Sequence, residues 1–439
     1  MARTVAHWIT LSGESNWNVG ANWDIGTPPT KIDDVHFDGT KFYQIDVTDA
    51  EAAYTLDCNG SHATLNETAS GSLWARTAAF VRGTAILNGD NDFGTVSISY
   101  GDVEVGADEA LGKHAINFDN HGGTLEAIAD VTLHNDIVMQ TGYLAAAAGH
   151  TLTLDSDLSV SELLYFGSAD GSATGTVVLD GTSATPSDTL NIDIFSGTVA
   201  AGRGGHSGEA NALWANGPLT TMHAGSVLDL TNFAASTELT LTGTGTIENN
   251  SNAYKTVDLR AANFHGSFNG KFDFIVTGTN APAGGHFGTV GITTITMAAG
   301  TDSLDLSAMQ GNYALYAPNG STAEINIGLG VPGGQESRFM DFQDGNLTID
   351  TTIAYGTKIS WVDNPGGEVR MVVHPGNNES NYNIYFFGVS THDGFVLSDY
   401  HGHLRITYDA AAAETASHDA HVADLAAQAA FVHLPPDTI

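Results

Sequence analysis

The chain has 439 residues, enough for one large core or several smaller ones, and 42% of them are apolar, too many for a disordered chain. With 14 Lys+Arg against 50 Asp+Glu the formal charge is −36. Such a surface repels nucleic acid and anionic membrane, because both need basic side chains to neutralise phosphate. The one cysteine, Cys58, excludes an intramolecular disulfide framework and is read as a half-buried structural thiol. No stretch approaches the length of an apolar membrane span, and the opening residues lack the apolar core of a Sec signal peptide.

In chain order, residues 1–43 carry Trp8, Trp17 and Trp23 among Gly and Asn. They predict a Trp-rich N-terminal cap, since repeat architectures need atypical ends; stacking of the indoles on sugar rings is the alternative. From 44 to 408 short runs alternate apolar and polar residues between Gly, Asn and Asp. Examples are 95–99, 151–155, 191–194, 227–230, 239–242 and 293–297. Alternation of period two marks a half-buried strand, and Gly and Asn suit corners with positive φ. No amphipathic helix interrupts the span, and no linker divides it. The fold class expected is therefore all-β, a parallel β-helix (β-solenoid), in which each coil contacts only its neighbours. At roughly 20–25 residues per coil the span predicts about 15 to 18 coils.

Residues Gly83 to Ser159 carry a resemblance. Leu87-Asn88-Gly89-Asp90-Asn91-Asp92-Phe93 is followed by Thr95 to Val105, then Ala110-Leu111-Gly112, Gly123-Thr124-Leu125 and Asn135 to Met139. In this order the pieces resemble the autotransporter-associated β-strand repeat of bacterial passenger domains. A second copy runs from Ser196 through Ala212-Leu213 and Gly225–Leu230 to Leu241–Asn249, and a third trace covers Ala299–Leu306. The resemblance implies a secreted β-helix and no catalytic residues. The pattern commits Leu87, Ile98, Val103, Val105, Ile116, Leu125, Leu133, Ile137, Leu152 and Leu154 to the core. It assigns Gly101, Gly112, Gly123 and Gly142 to corners.

Residues 395–408 resemble the ending of type I-secreted surface proteins, with Asp399, His401, Gly402 and Ile406 matching and Leu404 and Arg405 departing. Beyond them, 409–439 are Ala-rich and lack Lys and Arg. Val422, Leu425, Ala429 and Val432 fall on one helical face, so a short C-terminal helical tail is expected, as secretion signal or cap. The chain is thus read as cap 1–43, solenoid 44–408 and tail 409–439.

Chemistry-bearing constellations are sparse. His401/His403 and His418/His421 lack the further ligands of a zinc site. Acidic turns suit calcium better, because calcium takes carboxylate and carbonyl oxygens; the candidates are Asp90, Asp92, Asp155, Asp157, Asp341 and Asp344, with Asp399 beside them. The nonapeptide of calcium-binding β-rolls is absent. No nucleophile motif or phosphate loop occurs, and only eight Arg are present for the carboxylate neutralisation a polysaccharide lyase requires. The function expected is an extracellular structural or adhesive protein on a bacterial surface. It would associate with itself or with surface glycans, and would neither bind nucleic acid nor span a membrane. The alternative is a carbohydrate-active β-helix, a polysaccharide lyase or depolymerase. A groove lined by Asp/Glu with an Arg or stacked aromatics would favour the enzyme.

Overall fold

In the computed structural model, residues 3–408 are described apart from short stretches such as 11–14, 39–41 and 203–207 and many of the connections after 253. The fold is an all-β parallel solenoid of about ten turns with almost no helix. The chain divides into two compact units, Met1–Ser251 and Asn252–Ile439. The division falls inside the span expected as one solenoid. The predicted helical tail, 409–439, lies outside the described residues, as do His418 and His421.

In the first unit each coil contributes strands to stacked parallel ladders. One ladder holds ten strands, from Tyr43–Val47 through Ala63–Glu67, Thr84–Leu87, Asp102–Val105, Gly123–Ala127, Ile137–Ala146, Leu158–Phe166, Asn191–Ile194 and Leu219–Met222 to Ser236–Gly243. Parallel register places like on like, so one inward row reads Val103, Leu125, Leu144, Phe166, Ile194 and Met222. A second ladder aligns Phe37, Cys58, Phe80, Ile98, Phe118, Met139 and Val160. A third stacks Leu133, Leu154, Leu179 and Ala201. All these residues are buried. The period-two alternation sends their neighbours outward, and each fully buried aliphatic side chain contributes roughly 1.5–3 kcal/mol.

The turn count falls short of the 15 to 18 expected, for two reasons. Coils widen where they carry insertions: Ile194 and its partner Met222 are separated by the short helix Gly208–Trp214, which buries Leu213 and Trp214. The second unit also leaves the parallel pattern. Lys255–Ala262, Phe272–Asn280, Thr293–Met297, Tyr313–Ala317, Ser337–Phe342 and Tyr382–Phe387 still pair in parallel along one row. Lys358–Asn364, Glu368–His374 and Tyr382–Phe387, however, form an antiparallel meander. Phe395–Tyr400 and His403–Tyr408 form a hairpin turning at His401-Gly402, and its second strand runs antiparallel to Leu347–Ala354.

Corners differ from the sequence expectation. The one described non-Gly residue with positive φ is His401, so Asn does not supply that conformation here. Asn acts through its side chain instead. Asn135 Nδ2 donates to the carbonyls of Gly112 (2.9 Å) and His114 (2.7 Å), tying one corner to the coil before it. Gly112 does adopt φ +71°, but at Gly142 the requirement is space: a Cβ there would sit 2.6 Å from the Phe118 ring.

Trp8, Trp17 and Trp23 are buried, and their indoles pack edge to face, with Trp17 and Trp23 against Phe37 at 5.9 and 6.0 Å. Burial leaves these three indoles no open face for a sugar. Cys58 is fully buried between Phe37 and Phe80, and burial pushes its thiol up, so it is inert at neutral pH.

Leu125→Ala should empty part of an inward row whose neighbours, held by ladders on both sides, cannot collapse into the gap. The expected loss is about 2–5 kcal/mol in urea unfolding of the full chain. A loss under about 0.5 kcal/mol would contradict the inward placement.

Candidate functional site

Outward positions of the ten-strand ladder build an acidic groove on the surface of the first unit. The register aligns Asp102, Thr124 and Tyr143, and Tyr143 pairs onward with Tyr165 and then Asp193. The parallel outward row two residues on holds Ile86, Glu104, Glu126 and Ala145. The loop after Leu158–Phe166 supplies Ser168, Ala169, Asp170 and Ser172. Together these enclose a groove of about 370 Å³ lined by Asp102, Glu104, Thr124, Glu126, Tyr143 and Asp170, with no Lys, Arg or His among its lining residues.

Like charges crowd there. Burial first, and then Asp102, holds the Glu104 carboxyl above the usual carboxylate range. Burial raises Glu126 too, followed by the charges of Glu104, Asp102 and Asp170. Asp170 behaves oppositely: the Ser172 hydroxyl (2.7 Å) and backbone N–H (3.0 Å) donate to it and hold it down to about 2. Two adjacent carboxyls that resist ionisation beside one that stays charged is an arrangement able to bind a cation or share a proton.

Along the same face the rings stack. Tyr143 lies 4.3 Å from Tyr165 with planes 16° apart, Phe195 continues 5.6 Å beyond, and His223 stacks on Phe195 at 4.4 Å. His223 Nε2 lies 2.8 Å from Asp193. Other carboxylates also meet histidines on neighbouring coils, as in His36–Asp57 (3.3 Å) and His134–Asp155 (3.2 Å).

The predicted calcium ligands are dispersed. Asp90 and Asp92 are exposed at the turn leading into Asp92–Phe93. Asp155 faces His134, and the exposed Asp157 donates its backbone N–H to Asp136 at 3.3 Å. Asp341 lies in Ser337–Phe342, and its side chain and Asp344 are outside the described residues. Asp399 accepts the Gly402 N–H at 2.8 Å within the hairpin turn. Among the described residues no three His, Cys, Asp or Glu side chains converge to hold a metal ion. The groove itself was missed in sequence. Its signal is Asp102-x-Glu104 returning as Thr124-x-Glu126 one coil later, which is visible only once the coil length is known; Asp170 enters from an insertion that no periodicity marks.

Over 79 residues, 18% of its length, the chain is 39% identical to the Adhesin BmaC autotransporter of Brucella suis biovar 1 (strain 1330). The matched stretch is 2% of that protein. No protein-family model matches the chain, and no solved structure matches it. The likeness and the solenoid together fit a bacterial surface β-helix protein, without identifying the repeat type. No helix among the described residues is long and apolar enough to cross a membrane.

Buried carboxyls give stability a pH dependence of definite sign. Burial and then Asp49 push Glu51 up to about 7. Glu67, fully buried in an inward row opposite Val47, is raised by burial although Gly89 N–H and Asn91 Nδ2 donate to it. A carboxyl raised in the folded state contributes stability that is complete below its ordinary value of 4.5 and is lost as pH rises through the raised value. The depressed Asp46 and Asp119 act oppositely, but only below their ordinary value of 3.8. The thermal midpoint should therefore be higher at pH 5 than at pH 8, and Glu51→Gln should shrink the difference. A midpoint that rises from pH 5 to pH 8 would contradict these assignments.

Proposed function

We propose that this protein is a bacterial cell-surface adhesive β-solenoid. The observation that carries the reading is the 39% identity to an autotransporter adhesin, in a chain whose coils stack as a parallel solenoid. A solenoid suits this role because nearly every second residue of each strand is available on an outer face while the inward rows hold the stack together. In this reading the Trp8–Trp17–Trp23 cluster closes the first coil, the tail 409–439 serves export by a type I route, and the solenoid presents its grooved face to surface glycans. Self-association into a filament or layer, with calcium bridging the acidic surfaces, belongs to the same proposal.

Attachment of the purified chain to bacterial or host cells, with electron microscopy with and without calcium, tests it. The expected result is saturable attachment, with ordered assemblies that calcium promotes. Monomers under all conditions that bind no cell would overturn the adhesive reading.

One observation favours a second reading, a carbohydrate-active β-helix. Glu104 and Glu126 occupy adjacent rungs in a groove with stacked aromatics beside it, and glycoside hydrolysis uses paired carboxyls of which one stays protonated. The absence of Arg from the groove lining counts against a lyase. Release of new reducing ends from acidic or neutral glycans, abolished by Glu104→Gln or Glu126→Gln, would establish the enzyme; no release from either class would leave adhesion alone.

A further inference from the structure

The aromatic stack on the outer face has an end, and the end is open. Tyr165, Phe195 and His223 each lie between neighbouring rungs or close the far side of the stack. Among the described residues Tyr143 has ring neighbours only on the Tyr165 side; on the other its register partner is Thr124, followed by Asp102. Rungs are spaced at about 4.8 Å, close to the 4.3 Å between the Tyr143 and Tyr165 ring centroids. A threonine where the next ring would stand ends the stack and leaves a gap in it beside Tyr143. That gap opens into the groove of about 370 Å³ that Tyr143 and Thr124 both line.

The walls of the gap state what would fill it. Asp102, Glu104, Glu126 and Asp170 surround it, and no basic side chain lines it. Further along the same face a carboxylate is answered by histidine, as His223 does for Asp193 at 2.8 Å. A bare metal ion would meet the carboxylates but leave the ring face unused. A neutral sugar would stack on the ring but leave the crowded charges unrelieved. A positively charged group beside an aromatic face is attracted to it, and more strongly where carboxylates share the charge.

We propose that this groove binds a pyranose bearing a protonated amine, its ring continuing the aromatic stack on Tyr143 and its ammonium held by Glu104, Glu126 and Asp102. The inference deepens the adhesive reading and rests on it for the surface setting in which such a glycan is met. The crowded carboxyls support it: burial first, and then the charges of Glu104, Asp102 and Asp170, raise Glu126, and an ammonium between them relieves the repulsive part.

The test is calorimetric titration of the full chain with glucosamine tetramer at pH 6 and 0.15 M NaCl. The N-acetylated tetramer, cellotetraose and CaCl₂ are titrated in parallel. Because a chain of charge −36 attracts any polycation, the variants decide. The expected result is saturable binding of the amine-bearing oligomer only, weakened at least tenfold by Tyr143→Ala and by Glu126→Gln, and retained by Tyr143→Phe. Thermal melts confirm that each variant is folded. Equal binding of the N-acetylated oligomer, or binding indifferent to Tyr143→Ala, would overturn the proposal. So would CaCl₂ binding that depends on Glu104 and Glu126 and excludes the oligomer. The adhesive reading fails separately: it falls if the wild-type chain does not attach to cells, and stands if attachment persists without amine binding.

Discussion

Parallel hydrogen bonding between successive coils fixes where every side chain points. Once Leu125 lies beside Val103 and Leu144, its neighbours Thr124 and Glu126 must face outward beside Asp102, Glu104 and Tyr143. A one-residue slip would exchange the two sets, burying the carboxylates and exposing the aliphatic row. The inward rows thus enforce the register that assembles the groove. Loops and insertions then adjust it: the loop after Phe166 brings Asp170 to the site, and Phe195, just past the end of Asn191–Ile194, meets Tyr165.

The same constraint explains the unusual buried charges. Glu67 occupies an inward position between Val47 and Leu87, where register would place an aliphatic residue. It is accommodated by the corner above, whose Gly89 N–H and Asn91 side chain donate to it, while Asn91 also bonds the Ala110 carbonyl at 2.7 Å. A buried carboxyl therefore links successive coils at a cost in desolvation that makes the protein favour mildly acidic conditions.

Much of this was legible in the sequence. Alternation identified the strands, and every aliphatic residue assigned to the core between Leu87 and Leu154 is buried. The Trp trio was recognisable as atypical, and its burial decides against sugar stacking by those rings. What escaped was whatever depends on three-dimensional neighbours. The stacking of Tyr143 on Tyr165 leaves no mark in the sequence, because it follows from coil lengths that vary with insertions. The antiparallel meander at 358–387 has the same alternation as a parallel coil, so pairing direction left no trace in the pattern. Asn at corners was read for its backbone tolerance, whereas Asn135 is present for the two carbonyls its amide reaches.

The outward rows, the groove among them, depend on register, and register depends on the stacking of successive coils. Hydrogen–deuterium exchange of the full chain tests that stacking through the amides of Asp102–Val105, Gly123–Ala127 and Ile137–Ala146. The account predicts slow exchange in all three strands, with closely similar protection because each is hydrogen-bonded on both sides, and fast exchange at the exposed turn residues between them. Fast exchange in Gly123–Ala127 while its two neighbours stay protected would contradict it, because no strand in the middle of a parallel stack can open alone.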